Sequence, residues 1–288
     1  YKWLLRWIAR TVQFPLLRGE VAVALIGKKG HGKSTLGYFL SRFFHRANTN
    51  LVDSYDQLKD WTGWLEYCVF AELEEAVWAG SHEQDAKVKN LITGARLFVA
   101  TKGIQPWQID NLVSLIITTN SRRAIPASID ERRFFALEVD DVKRDRAYWE
   151  ALYATYFDLD RNGAREVPTQ AFRALLWFFR QIDLTGWDHR TPPRTEGLTD
   201  QIIANLPAEQ RLVFDALVEG RFTPEWSGFR EERGGGVIWE EPIPNAELYA
   251  AYMKIRKSHE DPLSPTALGR AVRKLLGKEN VQSVKNLV

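Results

Sequence analysis

Apolar positions in this chain fall into two spacings. At the start, Trp3, Leu4, Trp7 and Ile8 recur at helical intervals and predict an amphipathic helix over residues 1–12. Val21-Ala22-Val23-Ala24-Leu25-Ile26 is an unbroken apolar run ending at glycine, which predicts a strand buried on both faces of a parallel sheet. A helix is predicted from about Lys33 to His45. Two more apolar runs follow: Tyr67 to Ala71, ahead of a group of glutamates, and Val113 to Ile117, ahead of Thr118-Thr119-Asn120. Strands alternating with helices predict a three-layer α/β domain. Beyond residue 140 the spacing turns helical, over Ala147 to Phe157 and Thr169 to Ile182. Trp187 to Glu196, with Pro192-Pro193, reads as a loop joining two modules, and Gly234-Gly235-Gly236 marks a second irregular stretch. Helices are predicted again at Asn245 to Lys257 and Ser264 to Leu276, the latter opened by Ser-Pro. The expected division is a core over 1–140, a helical extension and linker over 141–200, and a helical C-terminal module over 201–288.

Composition narrows the class without choosing a function. The 288 residues are 45% hydrophobic and 26% charged, which excludes a disordered or collagen-like chain. One cysteine, Cys68, excludes an internal disulfide framework and a multi-cysteine zinc site and points to a reducing compartment, the cytoplasm. No apolar run approaches the roughly 18 residues of a membrane span, so no membrane partner is expected. The N-terminus lacks a secretory cleavage signal, and the chain does not begin with Met. The net charge of +2 hides a polarity near the C-terminus: eight acids against four bases over 201–244, then eight bases against four acids over 245–288.

The most informative motif is Gly27-Lys28-Lys29-Gly30-His31-Gly32-Lys33-Ser34-Thr35, which fits G-x-x-x-x-G-K-[ST] between a predicted strand and a predicted helix. Glycines let backbone N–H groups wrap phosphates at the positive end of the following helix. Lys33 would neutralise the β- and γ-phosphates, and the Ser34 hydroxyl would ligate Mg²⁺. These features predict binding of a nucleoside triphosphate. His31 is expected to matter through its backbone.

Such an enzyme needs one carboxylate to hold the metal and another to polarise the attacking water. Phe70-Ala71-Glu72-Leu73-Glu74-Glu75 offers them: Glu74 for the metal and Glu75 for the water, with Glu72, on the same strand face as Glu74, in reserve.

The order of motifs carries a resemblance. After the acidic cluster come Ala76-Val77-Trp78-Ala79-Gly80, Lys87 to Thr93, Phe98 to Gly103, Ile116 to Asn120 and Asp130-Glu131-Arg132-Arg133-Phe134-Phe135. Over about residues 1–140 this resembles the superfamily 3 (AAA+) helicase domain of phage and plasmid primase–helicases, related to poxviral primase–helicases and parvoviral replication proteins. The resemblance implies a three-layer P-loop NTPase fold. It makes Gly27, Gly30, Gly32, Lys33, Ser34 and Thr35 the Walker A motif, and Glu74 and Glu75 the Walker B pair, where relatives commonly carry Asp-Glu. Asn120 becomes the polar sensor of the γ-phosphate or attacking water. Arg133, with Arg132 as its alternate, becomes the finger that reaches a neighbouring subunit's ATP. Lys102 is similar to the pore-hairpin lysine that grips single-stranded DNA, and Lys89 is a second DNA or phosphate contact. Trp107, beside the hairpin, is expected in the core. Residues 245–288 look like a winged-helix-type module.

The implied function is an ATP- and Mg²⁺-dependent DNA helicase. It would form a ring, as a hexamer, around single-stranded DNA in phage or plasmid replication, with a primase domain or another replication protein as partner. Two other classes are weighed against it. A P-loop small-molecule kinase would need an acceptor pocket and an arginine-rich lid. A DNA-binding or assembly module that holds ATP without processive unwinding would have no use for the acids at 74–75 or for Asn120.

Overall fold

The computed structural model describes residues 1–54, 56–60, 62–74, 82–121, 125–142, 144–160, 162–163, 166–220, 222, 229–231, 237–239, 243–256 and 261–277. The Gly234-Gly235-Gly236 stretch and Ala76 to Gly80 lie outside them. The chain divides into two compact units, Tyr1–Asn205 and Leu206–Val288.

The first unit opens with α1 (Lys2–Gln13), β1 (Ala22–Ile26) and α2 (Lys33–Ser41). Next come β2 (Thr49–Val52), the single turn α3 (Asp56–Lys59), β3 (Phe70–Glu74) and α4 (His82–Thr93). A hairpin, β4 (Arg96–Thr101) and β5 (Ile104–Asp110), precedes β6 (Ser114–Thr119) and β7 (Phe134–Glu138). The unit closes with α5 (Arg146–Tyr156), the short pair β8 (Phe157–Leu159) and β9 (Glu166–Pro168), α6 (Gln170–Gln181) and α7 (Glu196–Asn205).

Five strands form one sheet in the order β2-β3-β6-β1-β7, all parallel. Alternation along β1 explains its unbroken apolar run. Ala22 and Ala24 join a core with α4, the hairpin and α7, whereas Val21, Val23 and Leu25 join a second core with α1, α2 and α6. The strand is therefore sandwiched between two helical layers. The short side chains of Ala22 and Ala24 also let the first of these layers approach closely.

Several predicted bounds shift. The strand expected from Tyr67 begins at Phe70, because residues 62–67 wind into a 3₁₀ helix that leaves Tyr67 exposed. Glu72 and Glu74 lie within β3, two residues apart on one face of the strand, as their spacing implies. The helix expected to reach His45 stops at Ser41, and the chain tightens there: the Phe43 and Phe44 amides donate to the Leu40 and Ser41 carbonyls, three residues back. Trp107 packs against the first core, as expected. After a stretch without helix or strand the chain returns to the sheet as α7, where Thr195 Oγ1 donates to the Ala136 carbonyl of β7 and accepts from the Leu198 amide.

The second unit is built from α8 (Ala208–Glu219), a two-stranded hairpin of β10 (Phe229–Glu231) and β11 (Val237–Trp239), α9 (Asn245–Ile255) and α10 (Pro265–Leu276). Leu212, Val213, Leu248, Tyr252, Leu268 and Val272 form its core. The Ser-Pro start of α10 is a capped N-terminus: Ser264 Oγ accepts from the Ala267 amide at 3.3 Å, with proline in the first turn. Among the described residues, no helix is long and apolar enough to cross a membrane.

Candidate functional site

The C-terminal ends of β1, β3 and β6 carry the groups singled out from the sequence. Gly27 follows β1 directly and lies so close to Val139 that a Cβ would stand 3.2 Å from the Val139 Cβ. Gly30 and Gly32 have φ of +85° and +83°, backbone that L side chains rarely adopt, and Gly32 is the residue before the first turn of α2. The loop can take this course because both positions are glycine.

Lys33 is buried beneath the loop. Its ammonium donates to the Gly27 carbonyl at 2.7 Å, the Lys28 carbonyl at 2.8 Å and Asn120 Oδ1 at 2.8 Å. Lys33 and Asn120, 87 residues apart, thus meet because β1 and β6 are paired neighbours. Ser34 Oγ donates to Glu74 Oε1 at 3.0 Å, bringing the end of β3 against the start of α2. A cavity of about 350 Å³ lies over this group, with Ser34, Thr35, Glu74, Lys29 and Trp149 on its walls.

Glu72 and Glu74 share a face of β3 but not an environment. Glu74 is half-buried at the cavity. Glu72 is buried against α2, at Gly37, where any Cβ would overlap its carboxylate. Thr118 Oγ1 donates to Glu72 Oε1 at 3.0 Å. Burial pushes the Glu72 carboxyl up to about 7; the neighbouring charge of Glu74 adds to this and the Thr118 hydrogen bond opposes it. Glu75 lies outside the described residues.

The remaining loop residues turn towards the segment after β7. The Lys28 ammonium pairs with the Asp141 carboxylate. His31 Nδ1 lies 3.1 Å from the Asp140 carbonyl oxygen and 3.6 Å from Asp141 Oδ1. The hydrogen bond from Lys28 holds the Asp141 carboxyl below the usual range.

The two arginines lie at the other end of the sheet, just before β7, where the Arg133 carbonyl accepts from the Ala22 amide. Arg133 is tied back: Glu131 Oε1 accepts from its Nη1 at 3.2 Å, and also from the backbone amides of Arg132 at 3.0 Å and Arg133 at 2.9 Å. The Arg132 side chain is exposed.

Lys102 sits with Gly103 at the turn between β4 and β5, where Gly103 has φ of +80°, and it is exposed. Thr62 anchors the hairpin by accepting from the Ala100 amide at 2.7 Å and donating to the Phe98 carbonyl at 3.2 Å. Lys89 is half-buried on α4, away from the Lys33 group in the chain and joined to it by none of these bonds. Trp149 was missed by sequence reasoning. It lies 117 residues beyond Gly32, and nothing local in its helix marks it as belonging to the loop.

Residues 25–133 match a family described as a family of unknown function (DUF5906). A DNA primase-polymerase of Nitratiruptor phage NrS-1 is 27% identical over 151 residues, covering 50% of this chain and 20% of the phage protein. Apo structures of the NrS-1 C-terminal region align with 95% of this chain and 66% of the solved chain, with TM-scores of 0.56, 0.58 and 0.60 at 16–17% identity. This chain therefore spans only a fifth of its curated relative's length. It is similar in sequence to a phage DNA primase-polymerase, and its α/β fold, with a five-stranded parallel sheet and a helical C-terminal part, is similar to that of the phage protein's C-terminal region.

Proposed function

We propose that this chain is the motor part of a phage replication protein, a superfamily 3 (AAA+) helicase that hydrolyses ATP and moves along single-stranded DNA. The supporting observation is the convergence of Lys33, Ser34, Glu74 and Asn120 from three adjacent parallel strands beside one cavity. In this reading the Gly27–Thr35 segment is the P-loop, and the strand bearing the metal carboxylate is separated from the P-loop strand by the strand bearing the sensor.

Lys33 already points its ammonium between the Gly27 and Lys28 carbonyls and Asn120. On nucleotide binding it exchanges some of these weak acceptors for phosphate oxygens, a gain in charge complementarity at little cost in side-chain order. The hydroxyl of Ser34 and the carboxylate of Glu74, 3.0 Å apart, are hard oxygen donors that fit Mg²⁺, an ion that keeps several of its waters. When bound, Mg²⁺ neutralises charge on the phosphates. Asn120 orients the γ-phosphate or the attacking water. Glu75 polarises that water.

The arginines act in trans. They sit at the N-terminal end of β7, so a strand of five residues, roughly 16 Å, separates them from their own loop. Arg133, the first candidate for the finger, is held by Glu131, so in this reading its alternate, the exposed Arg132, takes the finger role and Arg133 positions it through Glu131. This dependence on a neighbour calls for a ring, a hexamer, with Lys102 hairpins lining its pore and gripping the DNA backbone without reading sequence. Lys89 supports the phosphate contacts from α4. The second unit, three helices with a hairpin and with Arg270, Arg273 and Lys274 exposed on α10, is read as winged-helix-like. A primase activity would reside in another part of the same protein or in a partner.

ATP hydrolysis, with and without single-stranded DNA, tests the proposal, with Lys33→Ala as control. DNA-stimulated phosphate release that disappears in Lys33→Ala is expected. A folded wild-type protein that never hydrolyses ATP would sink the reading. Mixing Lys33→Ala with Arg132→Ala subunits should restore part of the activity, since each supplies what the other lacks.

A further inference from the structure

One wall of the cavity is aromatic. Trp149, in the first turn of α5, stands over the loop with the edge of its six-membered ring against Gly32. A Cβ at Gly32 would overlap that ring, so the glycine serves the tryptophan's approach as well as the backbone conformation.

The ring stands on a capped helix beside a second aromatic ring. Asp145 caps α5, its Oδ1 accepting from the Tyr148 amide at 2.8 Å. Tyr148 packs edge-on to Trp149, with ring centroids 5.1 Å apart and planes at 83°. Arg144 in turn lies over the Tyr148 ring at 5.5 Å. Trp149 is nonetheless only half-buried.

The floor of the cavity, from Gly30 to Thr35, suits phosphates. The π face of an indole does not, because it carries negative partial charge and repels an anion, leaving only the ring N–H as a donor. Its complement is a flat, apolar ring.

We infer that Trp149 forms the nucleoside wall of this site and stacks on the base of a nucleoside triphosphate whose phosphates lie in the Gly27–Thr35 loop. The inference rests on the nucleotide reading proposed above and adds the part of the ligand that the loop motif does not specify. Stacking reads an aromatic face and not a pattern of donors and acceptors. The site therefore separates nucleotides sharply from bare polyphosphates, and one base from another only weakly.

Calorimetric titration of the wild-type chain, Trp149→Ala, Trp149→Phe and Trp149→Leu with Mg-ATP and with Mg-tripolyphosphate tests this. Trp149→Ala and Trp149→Leu should bind ATP about ten- to a hundredfold more weakly and tripolyphosphate within twofold of wild type, while Trp149→Phe keeps most of the ATP affinity. The leucine variant keeps bulk against Gly32 without an aromatic face, and so covers the case in which the alanine variant fails to fold. Equal losses for both ligands would make Trp149 a support for the loop and overturn the inference, as would undiminished ATP binding by Trp149→Leu. A wild-type chain that binds neither ligand would overturn the nucleotide reading, and this inference with it.

Discussion

The two ends of the central sheet use the same residue types in opposite ways. At the C-terminal end, Lys33, Ser34, Asn120 and Glu74 hydrogen-bond to one another or to loop carbonyls beside an open cavity. At the N-terminal end, Glu20 just before β1 gathers Arg18 at 2.8 Å, His189 at 2.6 Å and Arg190 at 2.9 Å, and is itself largely buried. Burial alone would raise the Glu20 carboxyl, but hydrogen bonds from Arg190, His189 and Arg18 outweigh it and hold the group at about 2. The backbone there is also unusual, with Glu20 at φ of +60°. Nearby, Trp7 Nε1 donates to the Val21 carbonyl at 2.9 Å, and Glu131 fastens Arg133. One end has polar groups that a ligand can recruit. The other has polar groups that fasten the chain to itself.

That contrast can be broken by mutation. The largest expected effect is Glu74→Gln, which should lower ATP hydrolysis about a thousandfold while shifting the melting temperature by no more than about 2 °C, since the group is half-exposed. Next, Arg132→Ala should cost about a thousandfold, the low end for such a finger, in assembled protein and leave ATP binding unchanged, as read by steady-state rates beside calorimetry. Arg133→Ala should differ in kind. It leaves the Glu131 carboxylate buried with one partner fewer, and should lower stability by about 1–2 kcal/mol. Glu20→Gln should cost about 2 kcal/mol, or roughly 5 °C in the melting temperature, with hydrolysis by the folded protein intact. If Glu20→Gln abolished hydrolysis as fully as Glu74→Gln, the two ends would not be separable.

Acid titration sharpens the same point. The folded Glu20 carboxyl titrates near 2 against an ordinary 4.5, so its contribution to stability is complete above about pH 4.5 and is lost as the pH falls towards 2. Melting curves of Glu20→Gln should therefore converge with those of the wild type over that window. The smallest effect belongs to Lys102→Ala. It should reduce the dependence of DNA affinity on log salt by about one unit per subunit contact, with stability unaffected, because the residue is an exposed turn.

Legibility in the sequence followed burial. β1 and β6 were readable because both faces of each strand are covered and the apolar run is unbroken. β2 was not read, since Thr49-Asn50-Leu51-Val52 is an edge strand with one buried residue and shows no such run. β7 was visible only as the end of an arginine motif. Its Phe134 and Phe135 are buried in different cores, a placement set by pairing with β1 and by no local signal. α7 and α8 went unread: α7 buries Gly197 and Gln201 beside its apolar residues, which blurs the spacing. At the site, the glycines of the loop and the place of Glu74 beside them were legible from residue type. The side-by-side placement of Lys33 and Asn120 needed the strand order, and the tie between Glu131 and Arg133 needed the turn that bends the chain back on itself.

The anchoring of β7 at both ends has a mechanical consequence. Before the strand, Arg133 is fastened to Glu131; after it, Asp140 and Asp141 hold His31 and Lys28 of the loop. Between them, residues 134–138 are locked in register with β1 over five consecutive pairs. The strand thus serves as a ruler of about 16 Å. In a ring it would set the spacing between the site a subunit owns and the site it completes next door, and a one-residue insertion in β7 would mismeasure that distance all the way round.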